Sequence, residues 1–277
     1  MLMKLGRNTS QINLKKKPIE EETPVSLENL NVGAVFCYEA SAVHTVNIEA
    51  KRWRNLIETP ADGNLSSMYD LRFGDGVNTN TFPNYVTELP DERAYFEGKA
   101  GPYFRLANNT NTDFINTLHT ATTGGFWAAF IFKPTTTEQT DTILATGSSS
   151  SSEGMAITTQ SSRRIRMLQY ANSGVVGAFS SYYTAEDVHV VVFSRDHVAG
   201  NVSYWVNRGE AESTAVAYRS PALMTPGILT VMNNTLLTDP LGVGGRLYTM
   251  AVGNKSLTDI EALSVANCLL SRQGFTI

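Results

Sequence analysis

The sequence predicts an all-β domain that is closed by one short C-terminal helix and preceded by an extended basic arm. Three observations predict it. Apolar runs of strand length recur along the chain, several alternating with a period of two. Gly, Ser, Thr and Asn crowd the segments between those runs, as hairpin-rich folds require. A helix signature appears near the end. With 277 residues, 42% of them hydrophobic and only 17% charged, the chain has material for one large core. All-β domains commonly reach this length undivided. No repeat of fixed period is evident, which excludes a solenoid or propeller.

Residues 1–26 form the predicted arm. Lys4, Arg7, Lys15, Lys16 and Lys17 stand there with no acid among residues 1–17. Taking these five from the 22 basic residues leaves 17 against 26 acidic ones, a net of −9 for the body. The arm is polar, aperiodic and followed by Glu20, Glu21 and Glu22 before Pro24, so in isolation it is expected to be disordered. The five cations read as an assembly arm held by a neighbouring subunit or partner, with a solvated tail as the alternative. Nucleic acid is not expected as a partner, because no aromatic residue is interleaved for base stacking and the body is acidic. The first residues lack the apolar core of a signal peptide, and no run approaches the roughly 18 apolar residues of a membrane-spanning helix.

Strands follow in order at 35–40, 94–98, 103–106, 125–134, 142–147, 187–196, 202–209 and 246–253. In 125–134, Phe126 and Trp127 have opposite parity, so one of them faces the outside of its sheet. His189 shares a face with Val191 and Phe193 and reads as a core or interface histidine. Gly253 and Asn254 break the last strand. Thr258 with Glu261 three residues on is a capping box, and Ser256 with Asp259 offers a second register. Ile260, Leu263, Ala266 and Leu270 then share one helical face. Cys37 and Cys268 are too far apart for a close-spaced metal or redox motif and read as buried free thiols, with a disulfide as the alternative.

The strand at 246–253, the Gly253-Asn254 turn and the helix opening in Leu257-Thr258-Asp259 resemble the ending of laminin-G-like, concanavalin A-like jelly-roll domains. The resemblance runs back through the chain. Residues 125–134 are similar to the family's inner aromatic strand. Residues 187–196 and 202–209 are similar to the paired strands that carry a Trp-His pair and an Asp-Gly hairpin. Here Val188 stands where that Trp is common, and Arg208-Gly209 replaces Asp-Gly. The resemblance covers 27–277 as one domain and implies a two-sheet antiparallel jelly-roll sandwich.

It also implies candidate sites. Tyr170, Tyr182, Tyr183 and Tyr218 are candidates for stacking on the C–H face of a sugar. No cofactor is expected apart from calcium, which family members hold at the sandwich rim. Asp141, Asp196 and Asp239 lie near predicted turns where oxygen ligands converge, and a turn aspartate bonding its own backbone is the competing reading. The paired-carboxylate pattern of the related glucanases is missing, so the domain is expected to be non-enzymatic. Gly242 to Gly245 lacks the Lys-Ser/Thr of a phosphate loop and reads as a hairpin turn.

Stand-alone domains of this kind with a short arm resemble virion proteins of tailed phages. That resemblance implies a capsid decoration, tail or fibre component, assembled in the host cytoplasm and located in the virion. Its partners would be other virion proteins, symmetry-related copies and host-surface polysaccharide. The alternatives are a carbohydrate-binding lectin domain outside any virion and a polysaccharide-degrading enzyme.

Overall fold

The computed structural model describes residues 26–41, 45–87, 93–106, 125–134, 140–147, 154–160, 164–171, 174–182, 187–216 and 229–275. The five cations of the arm lie outside them, as do Tyr183 and Tyr218. In chain order the strands are β1 (Ala34–Glu39), β2 (Val46–Asn47), β3 (Arg52–Trp53), β4 (Leu71–Phe73), β5 (Asn84–Val86) and β6 (Tyr95–Glu97). They continue with β7 (Phe104–Leu106), β8 (Gly125–Lys133), β9 (Thr142–Ala145), β10 (Gly154–Thr159), β11 (Arg164–Ala171) and β12 (Gly174–Tyr182). The last are β13 (His189–Asp196), β14 (Asn201–Val206), β15 (Glu212–Ala215), β16 (Thr230–Val231) and β17 (Arg246–Gly253), before helix α1 (Asp259–Arg272).

These strands form two antiparallel sheets packed face to face, the predicted jelly-roll sandwich. One has eight strands in the order β15-β14-β13-β8-β17-β6-β5, with β1 also on β17. The other has nine, in the order β12-β11-β10-β9-β16-β7-β4-β3-β2. Strand β17 serves β6 with Arg246 and Leu247 and then β1 with Thr249 to Gly253, so two strands share one edge in succession. The other edge of β1 is covered by the segment 55–61: Leu56 N donates to Cys37 O and Ala61 N to Ala34 O, each at 2.9 Å. A covered edge offers no template for pairing with another chain.

The main core fills the space between the sheets and includes Phe36, Tyr38, Trp53, Phe96, Phe104 and Phe130. A second core lies on the far side of the eight-stranded sheet, where Trp127, Ala129, Ile131, Val190, Val192 and Trp205 meet α1. Strand β8 is therefore buried on both faces, and its unbroken apolar run follows from that. Phe126 points between the sheets and Trp127 to the outer side, as parity requires, yet Trp127 is fully buried. Its Nε1 donates to Val32 O at 2.7 Å. A Cβ on Gly253 would lie 2.2 Å from that nitrogen, so the close packing there requires glycine.

Helix α1 starts at the predicted capping box, with Thr258 and Glu261 exchanging bonds. Its buried face meets the predicted one at Ala266 and Leu270, both buried, and departs from it elsewhere. Ala262, Val265, Ala266 and Leu269 face the sheet, while Ile260 is 79% exposed. The helix lies against Ala129 and Ala251, and the alanines at 262 and 266 let its backbone approach; burying Val265 and Leu269 contributes about 1.5–3 kcal/mol each. Strand β17 also departs from simple alternation. A register shift between Leu247 and Thr249 puts Leu247, Met250 and Val252 in the inter-sheet core and Tyr248 and Ala251 in the other. Cys37 and Cys268 are both buried free thiols beside this second core.

Candidate functional site

The outer face of the nine-stranded sheet carries the most developed surface group. Along β11, Ile165 and Met167 point into the inter-sheet core, and parity places Arg164, Arg166, Leu168 and Tyr170 on the opposite face. Arg166 Nε donates to Thr158 Oγ1 of the paired strand β10 at 3.3 Å. The loop 232–241, which leaves the sheet after β16, brings Asp239 within electrostatic reach of Tyr170. Asn234 Nδ2 donates to Thr238 Oγ1 at 2.8 Å and to Asp239 Oδ2 at 2.7 Å, and Thr238 N donates to Asn234 Oδ1 at 2.9 Å. Asp239 and Arg166 both act electrostatically on Tyr170. Partial burial raises the Tyr170 hydroxyl's pKa, Arg166 opposes this and Asp239 adds to it. The phenol is therefore a neutral donor at ordinary pH.

Tyr170, half-buried, and Asp239 were predicted for different roles, and the fold brings them together. Tyr182 is not part of the group. It pairs with Arg164, six residues along β11 from Tyr170 and so roughly 20 Å away. Arg166, Asn234 and Thr238 were missed, because only the β10–β11 register and the fold of the loop assemble them.

The three aspartates considered for calcium occupy three separate turns, with their oxygens already accepting N–H bonds. Asp141 is buried and accepts from Gly242 N at 3.1 Å. Asp196 accepts from Val198 N and Ala199 N, both at 2.8 Å. Asp239 holds the Asn234 amide. Among the described residues no group of three or more His, Cys, Asp or Glu side chains is arranged to hold a metal ion. Asp196 thus bonds its own turn's backbone, whereas Asp141 accepts from a distant backbone N–H and Asp239 from a side-chain amide.

Other candidates are structural. His189 is buried, with its Nδ1 3.0 Å from Asn207 Nδ2. A cavity between the sheets, lined by Phe126, Met155, Met167, Gln169, Arg195 and His197, offers about 10 Å³ to the centre of a water molecule, room for about one water and far too little for a sugar. Gly242 to Gly245 forms a tight turn closed by Gly245 N donating to Gly242 O at 3.0 Å. Among the described residues no helix is long and apolar enough to cross a membrane.

No family profile and no curated protein matches the sequence. The fold, however, matches solved structures of botulinum neurotoxin binding domains. One is from the type C toxin, which depends on interaction with two ganglioside molecules to enter cells; identity is 12%, the match covers 88% of this chain and 53% of that one, and the TM-score is 0.58. A second is the binding domain of the DC toxin in complex with SialylT, at 13% identity, covering 87% and 52%, with a TM-score of 0.58. A third is the DC binding domain in complex with rat synaptotagmin II, at 12% identity, again covering 87% and 52%, with a TM-score of 0.58. This chain spans about half the length of the structures it matches. Likeness at this identity establishes the sandwich fold.

These findings correct the virion reading. The matched structures are receptor-binding domains of toxins rather than decoration, tail or fibre proteins, so the phage assignment, the virion location and the virion partners are withdrawn. The physical reason is that the features behind that reading, a sandwich preceded by a short arm, specify packing and charge and nothing about what the chain assembles with.

Proposed function

We propose that this chain is a carbohydrate- or receptor-binding lectin-like domain that takes its ligand on the outer face of the nine-stranded sheet around Tyr170. Residues 27–277 form the binding domain in this reading, with 1–26 as a separate arm. The observation that carries it is the grouping of a half-buried tyrosine with Arg166 and with the Asn234–Thr238–Asp239 network. A sugar's C–H face stacks on such a ring, while its hydroxyls exchange hydrogen bonds with carboxylate, amide and guanidinium groups. The ganglioside and SialylT partners of the toxin domains support carbohydrate as the ligand class.

The test is a glycan array probed with the full chain, followed by calorimetric titration of the best oligosaccharide. Tyr170→Ala is expected to weaken binding roughly tenfold, the value of one aromatic contact. Undiminished binding by this variant would remove Tyr170 from the site.

A further inference from the structure

We infer that Arg52, Arg72 and Arg105 form an oxyanion-binding row on the same sheet face, suited to the sulfates or carboxylates of a linear acidic polysaccharide. The inference rests on the carbohydrate-binding reading for the class of ligand, but not on Tyr170.

The row follows from register. Arg52 pairs directly with Arg72, and Arg72 with Arg105, across β3, β4 and β7. Asn47 of β2 extends the row on one side and Thr230 of β16 on the other. The neighbours Trp53, Leu71, Phe73, Phe104 and Leu106 all belong to the inter-sheet core, so parity puts the three arginines on the outer face. Like charges directly opposite on neighbouring strands destabilise a sheet. That pairing rule is broken twice in succession here, the kind of departure that marks a functional surface.

Nearby groups leave the row available. Arg72 Nε and Arg105 Nε are shielded from solvent and donate to no acceptor among the described residues. Arg105 is steadied by its guanidinium lying 4.9 Å from the centre of the Tyr103 ring, and its Nη2 lies 3.5 Å from Thr235 O in the loop that carries Asp239. Two acids are close and offset part of the row's charge, Asp70 by an ion pair with Arg52 and Asp75 by its field on Arg72, while each also accepts backbone N–H bonds. Asp70 accepts from Asn55 N at 3.0 Å and lies 3.8 Å from Arg52 Nη1. Asp75 accepts from Val77 N at 2.8 Å and Asn78 N at 2.7 Å. Three guanidinium groups against these two carboxylates leave a local net charge of +1 on a body whose net charge is −9.

Spacing and chemistry favour an acidic polysaccharide. Adjacent strands lie about 4.8 Å apart, comparable to the advance per sugar along an extended polysaccharide, so three guanidinium forks can meet anionic groups in succession. Nucleic acid fits less well. Trp53, Phe73 and Phe104 are buried and Tyr103 is covered by Arg105, so none of these rings is open beside the row for base stacking.

The test titrates the full chain with a heparin-derived sulfated oligosaccharide, an oligogalacturonate, a neutral desulfated N-acetylated oligosaccharide and single-stranded DNA of matched charge. The sulfated or the carboxylated probe is expected to bind, with affinity falling as salt rises, and whichever binds identifies the anion. Arg72→Gln is expected to lower that affinity at least about tenfold, by loss of a charge-assisted bond. Arg52→Gln, at a side chain 49% exposed, tests the same row where folding is least at stake and is expected to weaken binding in the same direction. Loss in both variants with Tyr170→Ala unaffected supports the row even where the Tyr170 site fails. No binding of either acidic probe, equal affinity in the arginine variants, or tighter binding of the DNA would overturn the proposal.

Discussion

Glu39→Gln removes one half of the ion pair that fixes the end of α1 to β1. Arg272 Nε donates to Glu39 Oε1, and the two side chains are 22% and 5% exposed. Breaking a fully buried pair costs about 3–5 kcal/mol, because the surviving charge is left without compensation. Arg272 retains some access to water, so the expected loss is about 2–3 kcal/mol. That corresponds to a fall in Tm of roughly 3–5 °C for a domain of this size. Urea unfolding followed by tryptophan fluorescence and circular dichroism measures it, with the slope expected to stay constant. Replacing both partners, Glu39→Leu with Arg272→Leu, should return stability to within about 1 kcal/mol of the parent, since no charge then remains buried. A single-variant loss below about 0.5 kcal/mol, or a double variant as unstable as the single, would refute the reasoning.

Three further outcomes follow from packing and charge. Gly253→Ala sets a Cβ 2.2 Å from Trp127 Nε1 and 2.6 Å from Gly33 O, and it should cost at least about 3 kcal/mol in urea unfolding and shift the near-ultraviolet tryptophan signal. Burial raises the Cys37 thiol well above its ordinary range and pushes Cys268 up to about 11, so iodoacetamide should modify neither in the folded chain and both once denaturant is added. Burial works against the charge on Glu261, but bonds from Lys255 and Thr258 outweigh it and hold the carboxyl below its usual range. A depressed folded pKa means stability that is present above the unfolded value of 4.5 and lost as pH falls through the folded one. The stability gap between the parent and Glu261→Gln should therefore be seen at neutral pH and close as pH falls below 4.5 through the folded pKa.

The sandwich was legible because its cues are local. The run at 125–134 has the length, composition and terminal Gly and Pro of a strand, and it forms β8 nearly to the residue. Thr258 and Glu261 set the helix start through bonds within one turn. What stayed hidden depends on partners distant in the chain. Ile260 falls on an apolar stripe by spacing alone, but the docked face is centred on Ala262, Val265, Ala266 and Leu269, which leaves Ile260 outside. Arg72 between Leu71 and Phe73, and Arg105 between Phe104 and Leu106, can each be assigned to an outward face from sequence. That they stand beside each other and beside Arg52 depends on register, which no local pattern encodes. Tyr170 was named in advance, while its neighbours Arg166 and Asn234 came only with the fold.

The most direct measurement is the glycan array with the full chain, repeated with Tyr170→Ala on every positive oligosaccharide. Binding to a defined set of glycans that falls roughly tenfold in the variant is the predicted result. An array without a positive glycan, or glycan binding indifferent to Tyr170, would contradict a lectin-like site on the outer face of the nine-stranded sheet.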